Sequence, residues 1–99
     1  MSDHAKVIRV LVLRPAAGKH AELLRVVQEA AERARKIEGS FGVQVCDVRE
    51  DPGDICVISR WADPSGPQEM QKLNEEYRSQ YQPLIGAEPR LYHLTPVED

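Results

Sequence analysis

The first regular pattern along the chain is Val7–Leu13, VIRVLVL, an almost unbroken apolar and β-branched run closed by the breakers in Arg14-Pro15-Ala16-Ala17-Gly18. The run predicts a strand covered on both faces, because a strand with one face in water alternates polar and apolar residues. From Lys19 to Ile37 the apolar positions Leu23, Leu24, Val27, Ala30, Ala31, Ala34 and Ile37 recur every three or four residues. Glu22, Arg25, Glu29, Glu32, Arg33 and Lys36 fall on the opposite side, so the segment predicts an amphipathic helix. Gly39 follows as a left-handed stop.

Phe41 to Arg49 and Asp54 to Trp61 each alternate with period two, and Glu50-Asp51-Pro52-Gly53 between them supplies the fixed φ of proline and the positive φ of glycine. The pair predicts a β-hairpin. After Asp63-Pro64-Ser65-Gly66-Pro67, in which Pro67 can open a helix, a second helix is expected to about Gln82. Its stripe is Met70, Leu73, Tyr77 and Tyr81, with Leu84 and Ile85 after Pro83. Leu91 to Leu94 reads as a short last strand, and Thr95 to Asp99 as a polar tail.

The order β-α-β-β-α-β predicts an α+β, ferredoxin-like four-stranded antiparallel sheet with both helices on one face. The 99 residues fit one domain over 1–99, structured from about 5 to 94. With both helices on one side, the second face of the first strand would be an apolar patch in water. A homodimer packed sheet face to sheet face is therefore expected.

Composition narrows the function. The 41% apolar and 29% charged residues describe an ordinary globular chain. A net charge of -3 and the lack of a basic stripe argue against a nucleic-acid partner. The cluster Arg33 to Lys36 sits where cations complement a helix C-terminus. No apolar run approaches the ~18 residues of a membrane span, and Met1–His4 lacks a signal-peptide pattern, so a cytoplasmic location is expected. Cys46 and Cys56 fall in strand-like runs without metal-ligand spacing and read as small buried hydrophobes. No Ser-His-Asp order, phosphate loop or HExxH motif is present.

The stretches RPAAGKHAELLRVVQEAAERARKIEGSFGVQV, REDPGDICVISRWADPSGPQEM and LNEEYRSQY resemble the antibiotic biosynthesis monooxygenase family over nearly the whole chain. The marks are Pro15, Gly18, Gly39, Asp51-Pro52 and Trp61-Ala62-Asp63. The resemblance implies a dimeric α+β barrel with a pocket between each sheet and its helices. Some members are cofactor-independent oxygenases of phenols or quinols, some degrade haem, and many have no assigned activity.

On that resemblance Trp61 is a pocket wall, and Tyr77, Tyr81 and Met70 on the inward stripe line the same space around a small aromatic ligand. Asn74 and His93 are candidate catalytic contacts to a phenolic oxygen, His93 as a base near neutral pH. Packing alone also accounts for the two tyrosines and the tryptophan. Many active relatives carry histidines on the second helix, where this chain has Gln71 and Glu76, and the haem-degrading branch has an Asn on the first strand. Both departures argue against haem. No metal site and no cofactor are expected. Arg9 interrupts the first strand and, when buried, needs a carboxylate, a ligand anion or the dimer rim, with an ion pair to Asp47 expected ahead of a ligand. His4 and His20 read as surface residues. Two further functions stay open: a non-catalytic dimeric binding protein, and an isomerase or cyclase using the same pocket.

Overall fold

The computed structural model describes residues 5–97, so His4 lies outside the described residues. Seven segments follow in order. They are β1 (Val7–Leu13), α1 (His20–Ala34), β2 (Ser40–Asp47), β3 (Ile55–Trp61), α2 (Ser65–Tyr81), a single 3₁₀ turn (Gln82–Leu84) and β4 (Arg90–Leu94). The strands form one antiparallel sheet in the order β2-β3-β1-β4, and both helices cover the same face. This is the ferredoxin-like α+β arrangement that the hydrophobic pattern predicts.

The continuous apolar run explains why β1 is central, between β3 and β4. Arg9, Leu11 and Leu13 point to the helices and are buried, while Ile8, Val10 and Val12 look the other way and are half-buried. In β3 the inward set is Ile55, Val57, Ser59 and Trp61. These meet Leu23, Val27, Ala31 and Ala34 of α1 and Met70, Leu73, Tyr77 and Tyr81 of α2 in a single core. Arg33 joins the helices, its guanidinium 5.6 Å from the centre of the Tyr77 ring and 3.4 Å from Glu76.

Helix ends differ from the sequence reading for identifiable reasons. α1 stops at Ala34 rather than Ile37, because Lys36 and Ile37 turn back to Arg33 and Ala34 with tighter bonds of 3.1 Å each. Arg35 meanwhile donates from Nε to the Val43 carbonyl at 3.1 Å, tying the turn to β2. Gly39 then takes φ +89°, the expected left-handed stop. α2 begins at Ser65, two residues before Pro67, because Asp63 accepts the Ser65 N–H at 2.8 Å and the Ser65 hydroxyl as well. β2 ends at Asp47, not Arg49, and β4 begins one residue early, at Arg90. The hairpin turn forms as expected, with Gly53 at φ +104° and the Asp54 N–H on the Asp51 carbonyl at 3.0 Å.

The face away from the helices carries Ile8, Val10 and Val12, with Ile58 from β3 and Tyr92 and Leu94 from β4 in register beside them. Tyr92 is 49% and Leu94 45% exposed, so a sizeable apolar surface is left open. Cys46 and Cys56 stand opposite one another on this face and are half-buried rather than core residues. Burial, followed by the neighbouring Cys46, pushes the Cys56 thiol above its ordinary value.

Candidate functional site

Among the described residues, two hollows on the helix side divide the candidate residues between them. The larger, about 370 Å³, opens where the start of α2 meets β1 and the end of β4. Val7, Pro64, Pro67 and Leu94 give it apolar walls, and Gln68, Gln71, His93 and Thr95 add polar groups. That mix suits a flat apolar ligand oriented by a few hydrogen bonds. His93 stands here, exposed on the edge strand.

The smaller hollow, about 20 Å³, lies between α1, α2 and the sheet, and Met70, Asn74, Tyr77 and Tyr81 all line it. It has room for about one water, not for an aromatic ring. Within it Asn74 donates from Nδ2 to the Tyr81 hydroxyl at 3.1 Å, so its amide is already engaged. The α2 candidates are thus brought together, but apart from His93.

Trp61 lines neither hollow. Its ring is wholly buried against Gly66, where an added Cβ would come within 2.6 Å of Cδ2 and closer still to Cε3. Glycine at 66 is therefore a steric requirement of the tryptophan.

Behind the larger cleft lies a group of polar atoms the sequence reading did not assemble. Arg9 faces the helices, directly across from Ser59 of β3 and His93 of β4. Its side chain is 1% exposed. Nη2 donates to the Oε1 atom of Gln71 at 3.2 Å, while Nε and Nη1 are buried without a hydrogen-bond partner. Ser59 Oγ and Trp61 Nε1, both on inward positions of β3, are equally buried and unpartnered. Gln71 is held from its other end, Nε2 donating to Glu75 Oε1 at 3.2 Å, which turns its carbonyl oxygen toward Arg9.

The expected Arg9–Asp47 pair does not form. Arg9 is on β1 and takes Gln71, whereas Asp47 ends the far edge strand β2 and lies 3.6 Å from His20. β3 separates the two strands, which puts the carboxylate out of reach. Burial pushes the Arg9 guanidinium below its ordinary value, partly opposed by Tyr81, yet a guanidinium stays protonated in proteins. Among the described residues it is a buried cation bonded only to a neutral amide.

The signal for this group was present in the strand phase. Arg9 shares its parity with Leu11 and Leu13, and Ser59 shares its own with Val57 and Trp61, so both were bound to point inward. For Gln71 the sequence shows only that it replaces a histidine. Among the described residues no three His, Cys, Asp or Glu side chains gather as a metal site, and no helix is long and apolar enough to cross a membrane.

Comparison with known proteins gives a consistent answer. Residues 6–69 match the family model described as antibiotic biosynthesis monooxygenase. No curated protein matches the chain in sequence. Among solved structures, Rv0793 from Mycobacterium tuberculosis superposes with a TM-score of 0.84 at 15% identity, covering 94% of this chain and 96% of its own. PA3566 from Pseudomonas aeruginosa gives 0.83 at 14% identity, covering 99% and 100%. A Caulobacter crescentus CB15 protein, provisionally named an antibiotic biosynthesis monooxygenase, gives 0.81 at 18% identity over 95% and 92%. At these identities the structural likeness speaks for the fold.

Proposed function

This chain belongs to the antibiotic biosynthesis monooxygenase family, and from that premise we propose that it oxygenates phenolic or quinol-like aromatic molecules without a cofactor. The observation that carries the reading is the larger cleft, whose apolar walls and single imidazole suit an aromatic ring bearing an ionisable oxygen or carbon acid. His93 is the better placed of the two catalytic candidates, because Asn74 is committed to the Tyr81 hydroxyl.

In such a reaction the substrate is its own reductant. His93 accepts a proton from an anthrone-like substrate, and the resulting anion passes electrons to O₂. Carbon–oxygen bond formation gives a peroxide anion, return of the proton from His93 makes it a hydroperoxide, and loss of water leaves the quinone. One oxygen atom enters the product, the other leaves as water, and the substrate supplies both electrons. The protein contributes the proton acceptor, the orientation and a site from which bulk water is displaced.

Haem chemistry fits the residues poorly. α2 offers no imidazole: Gln71 is bonded to Arg9 and Glu75, and Glu76 reaches Arg33 on α1. The direct test is oxygen uptake by metal-free protein with anthrone-like phenols and quinols. Uptake should fall about 100-fold in His93→Ala, the scale of a lost general base. A flat trace from the wild type would overturn the proposal in favour of a binding protein, and conversion without oxygen would select an isomerase or cyclase.

The same reading includes a homodimer through the open sheet face, supported by the run of Ile8, Val10, Val12, Ile58, Tyr92 and Leu94 across three adjacent strands. Val10→Asp should convert a wild-type dimer into a folded monomer in sedimentation equilibrium. A wild type that sediments as a monomer at micromolar concentration would remove the dimer.

A further inference from the structure

We infer that Arg9 is the anion-recognition point of the larger cleft, and that its ligands are flat apolar molecules carrying an anionic oxygen, for which Gln71 keeps the place. The inference deepens the reading above and rests on that cleft being the ligand site.

An arginine buried to 1% exposure ordinarily faces a carboxylate, because desolvating an unpaired cation is costly. The α2 carboxylates that follow Gln71 are occupied elsewhere. Glu75 holds the Gln71 amide and lies 3.5 Å from Arg78, while Glu76 lies against Arg33. Among the described residues Nε and Nη1 of Arg9 have nothing to donate to. A fold that only required a large residue at this point would be served by methionine or leucine. What the guanidinium adds is a fixed positive charge and a planar fork of donors matched to two oxygens.

The cleft is joined to this charge by two side chains. Gln71 lines the cleft and accepts from Arg9 at 3.2 Å, and His93 lines it while standing opposite Arg9 in the sheet register. Gln71 is itself exposed, so its carbonyl oxygen can give way to an oxygen from the ligand without disturbing the core. A neutral amide oxygen is a weaker acceptor for a guanidinium than an ionised oxygen. Exchange of one for the other is therefore favourable, and Ser59 Oγ, directly across the ladder from Arg9, adds a further buried polar atom on the same stretch of sheet.

Binding of non-oxidisable naphthalene probes tests this without any turnover. The set is 2-naphthoate, a nitronaphthol ionised at pH 8, and neutral 2-naphthalenemethanol, titrated by calorimetry against wild type, Arg9→Met, Arg9→Lys and Gln71→Ala. Wild type should bind at least one anion 10- to 100-fold tighter than the neutral probe, the scale of a charge-assisted hydrogen bond. Which anion binds better tells a carboxylate ligand from a phenolate one. Arg9→Met should abolish the preference while remaining folded by circular dichroism, and Arg9→Lys should restore part of it. Gln71→Ala should leave it intact or enlarge it. Equal affinity for anionic and neutral probes in wild type, or a preference that survives in Arg9→Met, would overturn the inference. Because none of the probes consumes oxygen, an anion preference would stand even if the oxygenase reading failed, and its absence would leave the uptake assay to be judged on its own.

Discussion

Two charged side chains are buried toward opposite ends of the central strand pair, and the molecule treats them in opposite ways. Asp54, 3% exposed, is met by Arg14 through Nε at 3.1 Å and Nη2 at 3.3 Å, and by Arg90 at 3.8 Å. Its side-chain hydrogen bond and charge hold the Arg14 guanidinium above its ordinary value. Arg9, 1% exposed, receives one neutral amide. A buried charge that closes its own hydrogen bonds acts as a clamp, here between the hairpin turn, the end of β1 and the start of β4. One left open is a cost to the free protein, and it is kept only where something else completes it.

The largest effect expected of any single change lies at the open end. Trp61 is fully buried against Gly66 beside the Arg9 stretch. Truncating it to alanine should cost about 3–5 kcal/mol, the range for deleting a buried aromatic, measured by urea unfolding. A cost under about 1 kcal/mol would show that this end is loosely packed, and the contrast with the clamped end would then be one of order rather than charge. Gly66→Ala should reproduce part of the loss by pushing the ring out of place, about 1–3 kcal/mol for overpacking.

The comparison itself predicts a difference of sign. Asp54→Ala removes a carboxylate that satisfies two arginines and should destabilise the fold by about 2 kcal/mol, the scale of hydrogen bonds to a charged group. Both arginines are 56% exposed and can return to water, which keeps the loss from being larger. Arg9→Met replaces an unsatisfied cation with an apolar chain of similar length and should stabilise the ligand-free protein by about 1 kcal/mol. Loss of stability in Arg9→Met equal to that in Asp54→Ala would mean that both charges are structural.

Most of the fold is legible in the sequence, because period and breaker residues decide it locally. VIRVLVL required a strand with both faces covered, EDPG required the hairpin turn, and the Leu23–Val27–Ala31–Ala34 stripe required α1. The site was harder to read, since it depends on which strands are neighbours. Arg9 was recognisable as needing a partner, but the choice between Asp47 on the far edge and Gln71 on the covering helix turns on the order β2-β3-β1-β4. Tyr77 and Tyr81 shared an inward stripe as expected, yet the stripe cannot reveal that the space beneath them is filled. His93 could be placed on a strand, but its exposure comes from α2 leaving the edge strand uncovered.

The smallest effect sets the scale against which both buried charges are judged. Asp63 is a surface carboxylate at the start of α2, and its hydrogen bonds from the Ser65 hydroxyl and backbone N–H hold its carboxyl below the ordinary value near 3.8. A depressed value means that the folded state favours the ionised form, so its contribution is fully present above the unfolded-state value. That contribution fades as pH falls through the lower folded-state value. Asp63→Asn keeps an acceptor for the Ser65 N–H and removes only the charge. Its melting temperature should lie slightly under that of wild type at pH 6, and the two curves should converge below about pH 3.8. A gap that persists unchanged into stronger acid would assign the effect to hydrogen-bond geometry instead. A gap at pH 6 as large as that of Asp54→Ala would mean that burial adds nothing to the worth of a paired carboxylate here, and the contrast between Asp54 and Arg9 would then rest on partners alone.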